Sequence, residues 1–255
     1  MNLDRVKAVI SGGASGLGQA TAARLVAGGS QVALLDVQDD AGRKAAAALG
    51  SAASFHRADV TSESGVEAAV QAAVQRMGGL NVAVSCAGVA TPGKLLGKDG
   101  PLAVAAFQRV MDINVLGTFL LDRAAATIMQ ANVPDADGER GLLIHTASVA
   151  AFEGQIGQVA YGTSKAAVAG MVLPLARELA RFGIRVVGIA PGIFGTPMMA
   201  GLPQEAQDSL GRQVPFPPRL GRPEEYAELV AAIVTNRMLN GDTIRLDGAI
   251  RMAPR

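Results

Sequence analysis

Seven short, strand-like runs punctuate the chain: VKAVI (6–10), QVALL (31–35), SFHRA (54–58), LNVAV (80–84), LLIHTA (142–147), IRVVGIA (184–190) and TIRL (243–246). Between them lie amphipathic stretches that read as helices over 17–28, 40–49, 63–77, 104–131, 159–181 and 223–235. Strand and helix alternate to the end, which is the pattern of an open parallel sheet wrapped by helices on both faces. No internal repeat or low-complexity linker interrupts it. The pattern therefore predicts the α/β class, with one doubly wound domain over residues 1–255.

Three segments depart from the rhythm. Residues 91–101 (TPGKLLGKDGP) and 132–141 (NVPDADGERG) are rich in Gly, Pro and charge and read as surface loops. From about 195 to 222 the chain carries five prolines, at 197, 203, 215, 217 and 218, and one short helical patch near 204–212. An excursion of that length inside a compact domain predicts a substrate lid.

Composition sharpens the picture. Hydrophobic residues make up 49% of the chain and mean hydropathy is +0.28, as expected where strands are buried on both faces. Lys and Arg (23) nearly balance Asp and Glu (22), and no long run of either sign offers a footprint for nucleic acid or an anionic membrane. No uninterrupted apolar run reaches the ~18 residues of a membrane span. The start, MNLDRVKAVISGG, has no basic and apolar leader pattern. The single cysteine, Cys86, rules out an internal disulfide and fits a reducing compartment. The expectation is a cytoplasmic protein. His56 and His145 fall within strand-like runs without ligand spacing, so no metal site is expected.

Candidate chemistry begins directly after the first strand with 11-SGGASGLG-18, in which Gly12, Gly16 and Gly18 precede a helix. Glycines there let the backbone approach a pyrophosphate, and the helix N-terminus offers unpaired N–H groups. The second strand ends in Asp36, 18 residues beyond Gly18, close to the ~20-residue offset of an acid that binds the adenosine ribose diol. A carboxylate at that place repels a 2′-phosphate, which favours NAD over NADP. Capping of the helix at 38–49 is a second role compatible with the first. Asp59 and Val60, after the third strand, are placed either to touch adenine or to make a turn.

The stretch 161-YGTSK-165 sets a phenol and an ammonium four residues apart, on one face of a helix. Ser148 precedes Tyr161 by 13 residues and follows a strand, at the edge where open α/β sheets bind ligands. An ammonium ~4 Å from a phenolate, at an effective dielectric of ~20, favours it by ~4 kcal/mol, so Lys165 is expected to bring Tyr161 into the range of a working base.

These motifs together resemble the short-chain dehydrogenase/reductase family, over essentially the whole chain. The carriers are SGGASGLG, Asp36, Asp59-Val60, 85-SCAG-88, Asn114 in MDINVLG, Ser148, YGTSK, and 191-PG-192 followed by Thr196. The resemblance implies a Rossmann-type sheet and a catalytic set of Asn114, Ser148, Tyr161 and Lys165. In it Tyr161 is general acid/base, Lys165 lowers its pKa and binds the nicotinamide ribose, Ser148 polarises the substrate oxygen, and Asn114 supports a proton relay. It assigns Gly12, Ser15, Gly16, Leu17, Gly18, Asp36, Asp59, Val60, Cys86, Ala87, Gly88, Tyr161, Lys165, Pro191, Gly192 and Thr196 to NAD. The family usually has Asn where this chain has Cys86, which puts a sheet-steadying hydrogen bond in doubt. Cys86 itself reads most simply as a small buried side chain.

Longer runs, 146-TASVAAFEGQIGQVAYGTSK-165, 188-GIAPGIFGTPMM-199, 214-VPFPPRLG-221 and 239-LNGDTIRLDGAIRM-252, resemble the type II 3-hydroxyacyl-CoA dehydrogenases, some of which act on hydroxysteroids. That implies an acyl-CoA substrate and a homotetramer built on the two long helices. Substrate contacts fall to Ser148, Tyr161 and Gln158, the last with helix capping as its competing role. Met198, Met199 and Leu202 are candidates for an apolar acyl wall, and Lys94 and Lys98 for CoA phosphates, although solvation is the commoner role of such lysines. The alternatives are a hydroxysteroid or other secondary-alcohol dehydrogenase, an acyl-carrier-protein reductase, which Asp36 disfavours, and a cofactor-binding scaffold without turnover.

Overall fold

The computed structural model describes residues 1–98, 100–201 and 203–254. Seven strands form one parallel sheet: β1 (Lys7–Ser11), β2 (Gln31–Asp36), β3 (Ala53–Arg57), β4 (Val82–Ser85), β7 (Gly141–Thr146), β8 (Ile184–Pro191) and β9 (Thr243–Leu246). Their order is β3-β2-β1-β4-β7-β8-β9, so the chain runs outward from β1 to one edge, then returns to the centre and runs to the other. The reversal lies between β1 and β4, and the crevice beyond the carboxyl ends of those strands is where ligands bind in such sheets. Two further strands, β5 (Leu96–Gly97) and β6 (Gly100–Pro101), form a small antiparallel hairpin in the segment read as a loop.

The helices are α1 (Gly16–Ala27), α2 (Asp39–Ala48), α3 (Glu63–Met77), α4 (Val104–Met111), α5 (Gly117–Met129), α6 (Val159–Leu179), α7 (Pro197–Ala200), α8 (Gln204–Arg212) and α9 (Pro223–Thr235). Side chains alternate across each strand, and each set meets its own helical layer. Ile10, Leu34, Val84 and Ile144 pack with Leu25 of α1, Ala45 of α2 and Val230 of α9. Val9, Leu35, Ala83 and Leu143 pack with Val70 of α3, Leu121 of α5 and Val172 of α6. That is the doubly wound arrangement the alternation predicts.

Besides that hairpin, two details differ from the expected elements. The helix expected over 104–131 is interrupted by a π turn, Asp112–Leu116, between α4 and α5. The 195–222 excursion contains α7 as well as the anticipated α8. Two helical stretches, Val104–Met129 and Val159–Phe182, are long and apolar enough to cross a membrane by length and composition, with mean hydropathy 1.3 and 1.2. Small and polar residues interspersed among the apolar ones explain why no uninterrupted run marks them in the sequence. Both belong to the layer over the sheet, and their outer faces expose Leu116, Phe119, Val159 and Leu173.

Candidate active site

At the turn from β1 into α1 the backbone leaves no space for side chains. A Cβ on Gly12, whose φ is +65°, would stand 2.7 Å from the Ala87 nitrogen, and one on Gly18 would be driven into the Gly12 carbonyl oxygen. The turn after β1, the first turn of α1 and the loop after β4 are thus packed backbone to backbone. Ser15 is the N-cap of α1 yet makes no side-chain capping bond, which leaves its hydroxyl, with the first N–H groups of α1, for a phosphate oxygen. Gly16 faces Thr196 and Pro197 at the start of α7, so the 195–222 segment begins against the glycine loop. Leu17 sits half-buried against the core beneath.

Asp36 ends β2, and its carboxylate accepts from the Ala14 N–H at 3.2 Å and the Gln38 N–H at 3.1 Å. It does not cap α2, whose N-cap is Gln38. Instead it ties the glycine loop to the end of β2, with capacity left for a diol. Asp59 lies two residues past β3 and is exposed. It accepts from the N–H and hydroxyl of Thr61, bonds that lower its pKa, so the turn role is the one the geometry displays. Val60 is buried against Gly117 at the head of α5. On the far side, Pro191 closes β8, and the Gly192 N–H donates to the Leu246 carbonyl at 2.9 Å.

The catalytic candidates meet at the carboxyl ends of β4 and β7. Ser148 follows β7, is buried, and accepts from the Ala150 N–H at 3.1 Å. Tyr161 occupies the first turn of α6, and Lys165 the next. The Lys165 Nζ lies 5.8 Å from the centre of the Tyr161 ring and donates to the Thr146 carbonyl at 2.6 Å. Burial pushes the Lys165 pKa down to about 8, with the Cys86 sulfur opposing it. Burial also raises the Tyr161 pKa, against the hydrogen bond from Ser148. The expectation that Lys165 lowers the Tyr161 pKa does not hold in the free protein: desolvation penalises the phenolate more than its surroundings favour it.

Asn114 is buried in the π turn. Its Oδ1 accepts from the Val89 N–H at 2.8 Å, and its Nδ2 donates to the Val89 carbonyl at 3.0 Å and the Ser164 hydroxyl at 2.9 Å. The side chain thus locks the loop after β4 to α6. A Cβ on Gly88 would stand 3.2 Å from Asn114 Oδ1 and 3.5 Å from Lys165 Nζ, so Gly88 is the gap through which the two approach.

The substrate side is looser. Gln158 is the N-cap of α6 but makes no side-chain cap; its amide pairs with that of Gln155 at 3.2 Å. Beside it, the Gly93 N–H donates to the Gly157 carbonyl at 2.8 Å, which anchors the segment leading into the β5–β6 hairpin to the loop before α6. Lys94 and Lys98 are exposed on that hairpin. Leu202 and the Met198 side chain lie outside the described residues, and Met199 is half-buried. Arg245 of β9 and the residues after that strand strap the loop between Ser148 and Tyr161. Arg245 reaches Glu153 at 2.9 Å, Glu153 accepts from the Met252 N–H at 3.0 Å, and the Ile156 N–H donates to the Pro254 carbonyl at 3.0 Å.

Two polar clusters went unread in the sequence. His145 of β7 and Asp122 of α5 are buried together, with Nε2 2.8 Å from Oδ2. Thr146 and Tyr226 are the other, their hydroxyl oxygens 2.7 Å apart beside Cys86. The one available signal was that Tyr226 is the second of only two tyrosines.

The family model described as short chain dehydrogenase matches residues 6–207. The chain is 53% identical over 249 residues to a Bos taurus protein named 3-hydroxyacyl-CoA dehydrogenase type-2, covering 97% of this chain and 95% of that protein. A Drosophila melanogaster protein of the same name is 51% identical over 248 residues, 96% of this chain and 97% of its own. The crystal structure of 3-hydroxyacyl-CoA dehydrogenase type-2 from Mycobacterium avium superposes with a TM-score of 0.95 at 41% identity, covering 99% of this chain and 98% of that one.

Proposed function

Because the chain belongs to the short chain dehydrogenase family, and is therefore an oxidoreductase, we propose that it interconverts (S)-3-hydroxyacyl-CoA and 3-oxoacyl-CoA with NAD. The observation that carries this reading is the meeting of Ser148, Tyr161 and Lys165 at the end of β7, across from a glycine loop stripped of side chains. The substrate class is supported by the names of relatives at about half identity, 53% and 51%. NAD is supported by Asp36, a carboxylate at the end of β2 whose contacts are two backbone N–H groups, which would repel a 2′-phosphate.

NAD held by the glycine loop and Asp36 would accept the hydride from the carbinol carbon in oxidation, and its reduced form would supply it to the carbonyl carbon in reduction. The chain's own residues handle the proton. Tyr161 takes it from the substrate hydroxyl in oxidation and returns it to the carbonyl oxygen in reduction, while Ser148 holds that oxygen by a hydrogen bond. Burial keeps the Tyr161 proton in place at neutral pH, which suits the reductive direction. The Lys165 ammonium, held by the Thr146 carbonyl, contributes the positive charge that oxidation requires. Asn114 fixes the loop after β4 against α6 and so sets the separation of the groups. The outward faces of Val104–Met129 and Val159–Phe182, with Phe119 and Leu173 exposed, support a homotetramer.

The test is NADH oxidation with acetoacetyl-CoA, beside NADPH and beside a steroid ketone. NADH-specific turnover is expected, with Tyr161→Phe slower by about 10²–10⁴ while NADH binding persists. Unchanged activity in Tyr161→Phe would sink the mechanism. NADH binding without acetoacetyl-CoA turnover would move the substrate to another secondary alcohol. Light scattering on the same preparation reads the oligomer, and a monomer would remove the tetramer.

A further inference from the structure

Tyr226 is fully buried on α9, and the reaction as described gives it no task. Its neighbours form a closed circuit. The Thr146 hydroxyl donates to the Cys86 sulfur at 3.6 Å, and the Cys86 thiol donates to the Tyr226 oxygen at 3.8 Å. With those two protons assigned, the phenol donates to the Thr146 oxygen at 2.7 Å, so each group gives one hydrogen bond and takes one. Burial raises the pKa of both the phenol and the thiol, which keeps the circuit neutral. Buried polar groups satisfied in this way are rigid, because any rotation leaves a donor or acceptor unpaired.

Thr146 is the residue through which this rigidity reaches the chemistry. It ends β7, its carbonyl accepts from Lys165 Nζ at 2.6 Å, and Ser148 lies two residues on. We propose that Tyr226, acting through Thr146 and Cys86, is a positioning residue that aims the Thr146 carbonyl at Lys165 and so keeps that side chain an ammonium beside Tyr161. The inference rests on the catalytic reading above. It also gives Cys86 a use: the thiol closes the circuit in the place where the family usually has Asn. The titratable groups facing Lys165 are Tyr161 on its own helix, Cys86 after β4 and, behind Cys86, Tyr226 on α9. The Asp122–His145 pair lies across β7 from Tyr226, in the layer of α5 and α6, and is the further titratable pair on the Lys165 side of the sheet.

The experiment titrates the Lys165 side chain by NMR in protein labelled with 13C-lysine, its resonance assigned by Lys165→Arg, in parent and Tyr226→Phe. Loss of the aimed carbonyl destabilises the charged form, so the midpoint is expected to fall by about one pH unit. In NADH-linked turnover the alkaline decline should move down by the same amount, with kcat/KM at pH 8 reduced about fivefold in step with the lost ammonium. An unmoved Lys165 midpoint in Tyr226→Phe overturns the proposal, even where thermal stability drops. Should that variant fail to fold, Thr146→Val and Thr146→Ser decide: valine should shift the midpoint, and serine, which restores the hydroxyl, should not. A parent that titrates as expected but does not turn over acetoacetyl-CoA refutes the substrate reading and leaves the positioning result standing.

Discussion

The cofactor side and the substrate side of this site are built on opposite terms. Between β1, α1 and the loop after β4, backbone meets backbone: added carbon on Gly12 or Gly18 collides with main-chain atoms, and Asp36 is tied to two N–H groups. Across the crevice, Leu95, Leu96 and Phe216 are 67%, 81% and 80% exposed, and the hairpin is anchored chiefly through the main chain of Gly93. Where backbone packs on backbone, one residue type fits. Where side chains stand in water, many do, and specificity can change without disturbing the fold.

Substitutions can break that contrast, and the largest effect is expected at Gly18→Ala. Overpacking of about 3 kcal/mol against the Gly12 carbonyl should weaken NADH binding roughly a hundredfold, measured by quenching of NADH fluorescence. Retained affinity would mean that the loop has slack. Asp36→Ala should follow, with NADH affinity down about thirtyfold for about 2 kcal/mol of lost charged hydrogen bonding, and NADPH affinity nearly unchanged. A parallel loss for both cofactors would take Asp36 out of the discrimination. The smallest effect belongs to the other side: Leu96→Ser should leave unfolding free energy within about 0.5 kcal/mol and NADH affinity untouched, with any change confined to the KM for acyl-CoA. A drop in NADH affinity there would erase the distinction between the two halves.

The sequence reads the two halves with unequal success, for the same reason. Strand and helix alternation located the sheet and both layers, and α3 and α9 fall on the expected residues, because buried parallel strands carry a strong local pattern. Gly12, Gly18, Asp36, Ser148 and Tyr161 were legible because each answers to a fixed offset along the chain. The π turn at Asn114 was not, since one extra residue in a helical turn leaves the apolar periodicity nearly intact. Nor was the Asp122–His145 pair, which exists only because a helix face and a strand register bring residues 23 apart to one buried point. The pKa of Tyr161 was misjudged for a related cause: charge separation is visible in a heptad's worth of sequence, but the desolvation that opposes it depends on everything packed above.

The strap from Arg245 to Pro254 gives the site a history as well as a shape. A chain emerging from synthesis carries Ser148, Tyr161 and Lys165 long before residue 245 appears, and the strands that hold them can already pair. Yet the loop joining serine to tyrosine, tied at Gly157 to Gly93, gains its fastening at Glu153 only when Arg245 and Met252 are made. The order in which Ser148, Tyr161 and Lys165 are made is therefore not the order in which their surroundings become complete, and a nascent chain has these groups before it has the fastening at Glu153.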